Sequence, residues 1–351
     1  MNTNSLNILF IAPSYLPNIG GVERHIQCLS NEIIKDGHKV EILVNSPRES
    51  NLKDDLDINP VIKRIKKNHS RFLNRINIVT YVYKNFFRLL KFDIIHVHDF
   101  HTFEAYILPI YPLLYLSKRK IYVTFHGWEG DFPPKKNIIF RRKIVEGLSY
   151  KNICIGHFIS KWYKTRANIV SYGGVEPVLS RKYSENYLLF VGRLEKDTGI
   201  WNYLKSWASL SKKYSKDRFL ICGDGSLKNE IQQYVNKNNI PNVVFLGFID
   251  NVIDYMVNAK IVYTSGYLGI LEAFSCQKKV IATYDNELKE DYLKMIPNYE
   301  KMFWVAEGVS DIVEATELAI SDNEKPKLAY QFSLDNNWAN VCKGYYKIWN
   351  I

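Results

Sequence analysis

Residues 262–273, Val-Tyr-Thr-Ser-Gly-Tyr-Leu-Gly-Ile-Leu-Glu-Ala, run from an apolar strand through a short glycine-containing loop into a helix. The backbone N–H groups at the start of such a helix point outward, and together with the helix dipole they bind phosphate. Glu272, about one turn into the helix, can accept hydrogen bonds from ribose hydroxyls, and its apolar neighbours argue against an ordinary solvent-exposed Glu. The stretch therefore predicts a parallel α/β domain that binds a nucleotide.

The same alternation of strand and helix extends over the whole chain. Short apolar runs, several of them almost unbroken, are typical of strands buried on both faces of a parallel sheet. We predict strands at residues 7–12, 39–44, 93–97, 120–125, 152–155, 187–191, 219–222, 243–246, 261–263 and 280–283. Helix-length segments lie between them, at 22–35, 200–214, 226–237, 268–276 and 310–321. Strand–helix–strand units of this kind build parallel sheets covered by helices.

The chain is long enough for two such domains. Turn-forming and charged residues at 172–182 predict a hinge between a Rossmann-like domain at 1–175 and a second one at 183–332. Residues 333–351 carry apolar side chains at helical spacing and predict a C-terminal helix that packs back on the body. These side chains are Trp338, Val341, Tyr345 and Trp349. The predicted fold class is α/β, with two parallel sheets that face each other across a ligand-binding cleft.

Charge is distributed unevenly along the 351 residues. Residues 1–180 hold 26 Lys and Arg against 15 Asp and Glu, whereas residues 181–351 hold 21 of each. The whole formal excess of +11 lies in the first half, which indicates an anionic membrane face, a nucleic acid or a phosphorylated substrate as partner. We expect no leader peptide and no membrane span, and five free cysteine thiols, as in a cytoplasmic protein that is soluble or peripheral.

Two further strand ends in the second half carry residues suited to phosphate. One strand ends in Gly192-Arg193, whose planar guanidinium can pair with a diphosphate, although a surface salt bridge is the plainer interpretation. The next strand runs into Gly223-Asp-Gly225. Glycines there allow the backbone to approach a ligand, but they are also common in ordinary turns.

In the first half, the loop after the first strand ends in Gly20-Gly21 at the start of a helix, where the backbone could approach a phosphate. The loop matches neither Gly-x-Gly-x-x-Gly nor a Walker sequence, so no nicotinamide site is predicted. His126 ends a strand just before a glycine and is predicted to make a polar contact with the substrate. His96 and His98 share one strand face but complete no set of ligands, so no metal is expected.

Taken in order, these motifs resemble the family 4 retaining glycosyltransferases of the GT-B fold. The resemblance covers nearly the whole chain: Gly20-Gly-Val-Glu-Arg-His25, Gly37-His-Lys-Val40, His126-Gly127, Val191-Gly-Arg-Leu194, Gly223-Asp-Gly225, Phe245-Leu-Gly247 and Leu271-Glu-Ala273. It implies an enzyme that moves a sugar from a UDP- or GDP-sugar to a lipid-linked or polysaccharide acceptor in cell-envelope glycan synthesis. It also implies that neither a cofactor nor a metal is needed.

The resemblance implies roles for individual residues as well. His126 would contact the donor sugar, Arg193 would neutralise the diphosphate as it leaves, and Glu272 would bind the ribose. The residues implied to bind the donor are Gly20, Gly21, Lys196, Gly223, Gly247, Phe248, Ser265, Gly266, Tyr267, Leu268, Gly269, Ile270 and Leu271.

Two positions depart from the family pattern. The family has a Glu eight residues before Glu272, where this chain has Thr264. It also has a Lys five residues after the Arg, where this chain has Thr198 and only Lys196 lies nearby. Two other functions therefore stay open. One is a catalytically weak scaffold that binds nucleotides or glycans, and the other is a nucleotide-sugar epimerase, which would convert the donor without an acceptor.

The segment 61–91 is basic throughout, with apolar and aromatic side chains interleaved and no Asp or Glu. Such a segment suits binding in the plane of an anionic membrane, and a solvated basic face over a packed helix is the alternative. Nucleic acid is not the expected partner. The loop 128–136 is predicted to form part of the acceptor site. The basic residues of the segment are Lys63, Arg64, Lys66, Lys67, Arg71, Arg75, Lys84, Arg88 and Lys91.

Overall fold

A computed structural model of the chain describes residues 5–18, 20–46, 59–66, 70–178 and 185–351. The chain divides into two compact units. The first comprises Met1–Ser171 together with Trp338–Ile351, and the second comprises Tyr172–Asn337. Lys67 and residues 179–184, at the end of the predicted hinge, lie outside the described residues.

The first unit is built on a seven-stranded parallel sheet. Its strands are β1 (Asn7–Ile11), β2 (Lys39–Asn45), β3 (Val61–Ile65), β4 (Ile94–His98), β5 (Ile121–Phe125), β6 (Lys151–Ile155) and β7 (Ile169–Ser171). They pair in the order β3-β2-β1-β4-β5-β6-β7. The helices are α1 (Gly21–Lys35), α2 (Arg71–Lys84), α3 (Phe86–Leu89), α4 (Phe100–Thr102), α5 (Tyr111–Leu116), α6 (Lys136–Leu148) and α7 (Phe158–Tyr163). A π-helical turn at Phe103–Ile107 and a 3₁₀ turn at Leu108–Ile110 join α4 to α5.

The apolar pattern explains how this sheet is covered. Every residue of β4 and β5 is buried, as expected for central strands with helices on both faces. Helix α1 turns Ile26, Leu29 and Ile33 inward at helical spacing. It ends before Gly37, whose φ of +88° suits glycine and redirects the chain into β2.

The second unit is a six-stranded parallel sheet with a core of large apolar side chains that includes Trp207, Phe219 and Tyr263. Its strands are β8 (Tyr187–Val191), β9 (Arg218–Cys222), β10 (Val243–Gly247), β11 (Ile261–Tyr263), β12 (Lys279–Tyr284) and β13 (Trp304–Glu307). They pair in the order β10-β9-β8-β11-β12-β13. The helices are α8 (Ile200–Leu210), α9 (Lys228–Lys237), α10 (Val252–Asn258), α11 (Tyr267–Ser275), α12 (Glu287–Lys294), α13 (Gly308–Ser321) and α14 (Lys325–Asp335), with 3₁₀ turns at Lys196–Thr198 and Tyr299–Lys301.

The last helix, α15 (Trp338–Trp349), belongs to the first unit. The sequence predicts one helical segment over 333–351, but the structure has two helices that meet at Asn336 and Asn337. The side-chain amides of these residues donate to the carbonyl oxygens of Phe332 and Leu334, at 2.8 and 2.6 Å. These side-chain amides satisfy carbonyl groups in the last turn of α14, so the helix can end at that point.

The predicted architecture of two parallel α/β sheets is confirmed. Strands β3, β7 and β13 are additions to the predicted set, and each lies at a sheet edge. Within the described ranges, no helix is long and apolar enough to cross a membrane.

Candidate active site

The loops at the carboxyl ends of β8, β9 and β10 are tied together through their backbones. The Leu194 N–H donates to Asp224 O at 2.9 Å, and the Gly223 N–H donates to Gly247 O at 2.8 Å. A side-chain bond reinforces this frame, because the Glu195 carboxylate accepts from the N–H and hydroxyl of Ser226 at 2.8 and 2.6 Å. Three of the loops predicted to bind the donor thus form one rigid edge of the second unit.

Arg193 lies on this edge with an exposed side chain, 68% accessible to solvent. Its Nη2 donates to Asp197 Oδ2 at 3.0 Å. The Thr198 hydroxyl lies 2.8 Å from the carbonyl oxygens of both Arg193 and Glu195, so this residue closes the loop instead of offering a positive charge. Lys196 is exposed and forms no ion pair with any residue in the described part of the chain.

The start of α11 offers backbone donors on the same edge. Gly266 is exposed and precedes the helix, and the Tyr267 N–H donates to the Tyr292 hydroxyl at 2.8 Å. The N–H groups of Leu268 and Gly269 belong to the first helical turn and donate to no described residue. These two groups match the phosphate-binding arrangement that the sequence predicts.

Thr264 and Ser265 point into the protein. A Cβ on Gly269 would meet Thr264 Oγ1 at 2.5 Å, so the Thr264 hydroxyl lies directly against α11. Ser265 Oγ accepts from the Thr283 N–H at 3.0 Å and lies 2.8 Å from the Tyr203 hydroxyl. Both side chains are therefore packed inside the unit, and a donor contact by Ser265 stays a prediction.

The remaining residues implied to bind the donor fall into two groups. Ile270 and Leu271 are buried and anchor α11, whereas Glu272 is half-buried on the next turn. Gly247 has a φ of +71°, and Phe248 after it presents an exposed ring. An exposed ring at this edge gives a flat surface on which a nucleotide base can stack.

In the first unit, the predicted residues gather at the carboxyl ends of β1, β4 and β5. Gly20 and Gly21 open α1, and His25, one turn later, packs edge-on against the ring of His126 at 5.0 Å. His126 Nε2 is hydrogen-bonded to Nδ1 of the buried His98 at 2.8 Å. The structure thus brings His126 and the Gly20-Gly21 turn to one edge of the first sheet.

A chain of hydrogen bonds lies beneath His126. The Trp349 indole N–H donates to His96 Nδ1 at 3.1 Å, so neutral His96 carries its proton on Nε2 and donates to Thr124 Oγ1 at 2.8 Å. The Thr124 and Tyr345 hydroxyls are hydrogen-bonded at 2.9 Å, and the Tyr345 hydroxyl is hydrogen-bonded to His25 Nε2 at 2.8 Å.

The histidines of this region are held neutral. Burial lowers the pKa of His25 to about 4. Burial, followed by the charges of neighbouring imidazoles, lowers the pKa values of His96, His98 and His126 well below their usual range. An uncharged His126 can donate or accept one hydrogen bond but cannot neutralise a phosphate.

A charged cluster beside His126 was missed by the sequence analysis. Arg142 is fully buried, with its guanidinium 4.2 Å from the Tyr163 ring and 3.1 Å from Glu129 Oε1. Burial and the charge of Glu129 raise the pKa of Asp99 to about 6, while bonds to Glu104 and Glu129 raise that of His101 to about 9. One signal was available: Asp99 directly follows the His96-Val-His98 strand end.

No group of three His, Cys, Asp or Glu side chains is arranged to hold a metal ion within the described part of the chain. His96 and His98, which the sequence places on one strand face, are instead engaged with Thr124 and His126.

The basic segment 61–91 divides between an edge strand and a helix. Residues 61–65 form β3, and Arg88 pairs with the carboxylate of Glu41. Along α2 and into α3, an apolar stripe is turned to solvent at a spacing of four, seven and four residues. Its members are Phe72, Ile76, Tyr83 and Phe87. Four cations in and around the two helices are also exposed: Arg71, Arg75, Lys84 and Lys91.

Comparison with known families covers both halves of the chain. Residues 19–170 match the sequence model of Glycosyltransferase Family 4, and residues 176–332 match that of Glycosyl transferases group 1. Together the two matches leave only the termini and residues 171–175 uncovered.

Similar proteins in other organisms carry related names. An uncharacterized glycosyltransferase of Methanocaldococcus jannaschii is 26% identical, with 95% of each chain covered. The alpha-1,4-N-acetyl-D-galactosaminyltransferase of Campylobacter jejuni, named for an acceptor linked to PP-undecaprenol, is 24% identical over 93% of this chain and 92% of its own. The alpha-monoglucosyldiacylglycerol synthase of Acholeplasma laidlawii is 22% identical over 80% and 81%.

Solved structures share the fold at low sequence identity. A glycosyltransferase of Rickettsia africae superposes with a TM-score of 0.73 at 15% identity, with 99% of this chain and 98% of that chain covered. Anabaena HepE in complex with UDP and glucose gives a TM-score of 0.73 at 13% identity, with 97% and 98% covered. With the family matches and the two parallel sheets, these findings identify the chain as a glycosyltransferase of the GT-B fold, with Glycosyltransferase Family 4 matched by its first half and Glycosyl transferases group 1 by its second.

Proposed function

We propose that the enzyme transfers a sugar, with retention of configuration, from a UDP- or GDP-sugar to a lipid-linked or polysaccharide acceptor in cell-envelope glycan synthesis. The observation that carries the donor part of the proposal is one edge of the second unit. There, an exposed Arg193 and the N–H groups of Leu268 and Gly269 supply positive charge and donors for a diphosphate.

The chemistry follows from the charge that develops on the leaving group. As the bond between the anomeric carbon and the diphosphate breaks, negative charge collects on the phosphate oxygens. Arg193, bonded to Asp197, and the first turn of α11 already lie on this edge, so they can stabilise that charge as it develops. In this proposal, Glu272 accepts hydrogen bonds from the ribose and the exposed Phe248 ring stacks on the base.

The relatives support a donor with a nucleotide and an acceptor with a lipid. HepE was solved with UDP and glucose, and the Campylobacter and Acholeplasma enzymes are named for an undecaprenol-linked glycan and a glucosylated diacylglycerol. We extend both features to this chain. His126, Gly20 and Gly21 would contact the donor from the first unit, and residues 128–136 would contact the acceptor.

Variants of Arg193 and Glu272 test the donor site. After a thermal-shift screen of nucleotide sugars has identified the donor, we expect Arg193→Ala and Glu272→Ala each to lower kcat/KM by about ten- to a hundredfold, since charged hydrogen bonds contribute about 1.5–3 kcal/mol each. Lys237→Ala, which removes an exposed cation from α9, is the matched control and should retain full activity.

Near-normal turnover in both variants would reject the site. Binding of nucleotide sugars without turnover across the whole donor panel would favour the scaffold, and conversion of the donor without any acceptor would favour the epimerase.

We also propose that the first unit docks on an anionic membrane through α2 and α3. The exposed apolar stripe of Phe72, Ile76, Tyr83 and Phe87 can enter the interface while neighbouring Lys and Arg side chains meet lipid headgroups. In this arrangement the protein is a peripheral one on the cytoplasmic face, near a lipid-linked acceptor.

A further inference from the structure

A lysine from a distant part of the sequence lies beside the Arg193 loop. Lys289 is on α12, and its Nζ is 3.8 Å from Asp197 Oδ2, the same oxygen that accepts from Arg193 Nη2 at 3.0 Å. Only 14% of the Lys289 side chain is exposed. Two cations therefore meet at one carboxylate on the edge where the donor diphosphate is proposed to bind.

The position of Lys289 is fixed by the start of its own helix. The Asn286 side chain caps α12 by accepting from the Lys289 N–H at 3.0 Å. The Lys289 ammonium lies 5.4 Å from the centre of the Tyr292 ring, one turn further along. This ring stacks on Tyr267 at 3.8 Å, with the planes 9° apart.

Tyr292 joins this lysine to the start of α11. Its hydroxyl accepts from the Tyr267 N–H at 2.8 Å, and its carbonyl accepts from the Tyr267 hydroxyl at 2.7 Å. The Leu268 and Gly269 N–H groups, which donate to no described residue, follow directly. Lys289 is thus held between the Arg193 loop and the first turn of α11.

Burial lowers the pKa of Lys289, because it disfavours the charged ammonium form, and the nearby charge of Arg193 lowers it further. The charges of Asp197 and Asp285 act in the opposite direction and raise this pKa. Asp197 is the carboxylate in contact with both cations. Two cations that share one carboxylate leave a net positive charge. A diphosphate at this edge would add negative charge that balances it.

We propose that Lys289 is the second cation that contacts the donor diphosphate, in the role that the family assigns to the position of Thr198. Asp197 holds Arg193 and Lys289 in place when no donor is bound. Lys196 lies on the same loop, but its side chain is exposed and no ion pair within the described residues holds it in place. This inference rests on the proposed donor site and names one more residue of it.

The test separates affinity for the diphosphate from affinity for the nucleoside. Calorimetry on the purified full chain would compare UDP with uridine, and GDP with guanosine. We expect Lys289→Met to weaken the nucleoside diphosphate at least about tenfold while leaving the nucleoside unchanged, as for the loss of one charged hydrogen bond. Lys289→Arg should restore most of the affinity, and Lys237→Met, which removes an exposed cation from α9, is the matched control and should bind as wild type.

Asp197→Asn distinguishes a ligand contact from a structural ion pair. We expect this variant to bind the nucleoside diphosphate as tightly as wild type or more tightly, because it removes a carboxylate that competes for both cations. Weakening equal to that in Lys289→Met would overturn the proposal, as would wild-type affinity in Lys289→Met or an equal loss in Lys237→Met. If wild type binds neither UDP nor GDP, the proposed donor site itself fails.

A measurement on the wild-type protein covers the case in which Lys289→Met does not fold. Lysine acetylation followed by mass spectrometry, with and without saturating UDP or GDP, should show Lys289 protected by the nucleotide and Lys213 unaffected. Lys213 is a suitable reference because it is exposed and pairs with Glu317. Equal acetylation of Lys289 in both samples would refute the contact.

Discussion

Gly223 and Gly225, at the end of β9, are required by the fold itself, whatever contact they make with a ligand. A Cβ on Gly223 would lie 1.8 Å from the carbonyl oxygen of Gly192, and the φ of this residue is +149°. A Cβ on Gly225 would lie 2.5 Å from Leu194 O. Both positions require glycine because two loops of the protein approach each other there.

We therefore expect Gly223→Ala to destabilise the second unit by at least about 2 kcal/mol, since a backbone atom cannot move aside as a flexible side chain can. Gly266→Ala is the control, because Gly266 has an ordinary φ of −110° and no atom within 4 Å of an added Cβ. Thermal unfolding followed by circular dichroism measures both. Equal melting temperatures for the two variants would show that the close approach does not constrain the fold.

Other residues of the site could not be found by counting along the sequence. The strand end points to Arg193, and the family resemblance points to the missing lysine at Thr198. It could not indicate Lys289, since only the folding of β12 and α12 brings that residue to the Arg193 loop. Thr264 marks a departure from the family in sequence, and its packing against Gly269 becomes visible only in three dimensions.

At the scale of elements, most strands that the sequence predicts are central and buried, because continuous apolar runs mark them. Strand β10 is the exception, since it is predicted from its apolar run and yet lies half-buried at a sheet edge. The strands it missed lie at sheet edges, where one side of the strand meets solvent and the pattern is diluted. Strand β3 is Val-Ile-Lys-Arg-Ile and looked like part of a basic segment, and β7 has only three residues. The exposure of the α2 stripe likewise depends on which side of the helix meets the sheet.

The α2 stripe makes a testable prediction for membrane binding. Phe72 and Phe87 are 73% and 80% exposed. We expect the double variant Phe72→Ser/Phe87→Ser to reduce sedimentation with anionic liposomes at least about tenfold at both low and high salt, because it removes buried apolar area. Leu318→Ser on α13 of the second unit is the control, since Leu318 is an exposed apolar residue outside the stripe.

The cations beside the stripe should act differently. Arg71→Gln/Arg75→Gln should weaken binding to anionic vesicles at low salt by about 2 kcal/mol and should have little effect at high salt, where the charges are screened. Binding that depends on neither salt nor lipid charge would contradict membrane docking by this face.

Helix α15 makes a second prediction at this scale. Trp349 is buried and donates to His96, so Trp349→Ala should destabilise the first unit by about 3–5 kcal/mol. Lys347→Ala removes an exposed side chain from the same helix and should have no such effect. Hydrogen exchange read out by peptide would show faster exchange in β4 and β5 and an unchanged second unit. Uniform protection in the variant would show that Trp349 is dispensable.

For the whole molecule, the two units differ in charge more than the two halves of the sequence do. The first unit, including residues 338–351, holds 28 Lys and Arg against 14 Asp and Glu, whereas the second holds 19 against 22. The units therefore carry +14 and −3. An excess of this size on the unit that bears the α2 stripe favours its attraction to an anionic surface.

The units should also differ in their response to acid. All eight histidines precede residue 158, so the second unit has none. His25 has a folded pKa of about 4, below its unfolded value of about 6.5. The stability that it contributes is present above pH 6.5 and is lost as the pH falls toward 4. His96, His98 and His126 act in the same direction.

Each of these histidines can contribute a slope of up to about 1.4 kcal/mol per pH unit. Asp99, with its pKa raised to about 6, opposes them, because its protonation in acid favours the folded state. We expect calorimetry to show that, between pH 7 and 4.5, the melting temperature of the first unit falls well below that of the second. Equal decreases in the two melting temperatures would contradict the prediction that buried, neutral histidines make the first unit sensitive to acid.

The return of α15 to the first unit has a consequence for the order of events during synthesis. The strands of that unit are translated before the second unit, yet Tyr345 and Trp349, which complete its chain of hydrogen bonds, are translated after it. The second unit, Tyr172–Asn337, is an uninterrupted stretch and needs none of residues 338–351. The second unit can therefore finish folding before the first. Until residues 338–351 are translated, the first unit lacks the Tyr345 and Trp349 side chains that complete its core.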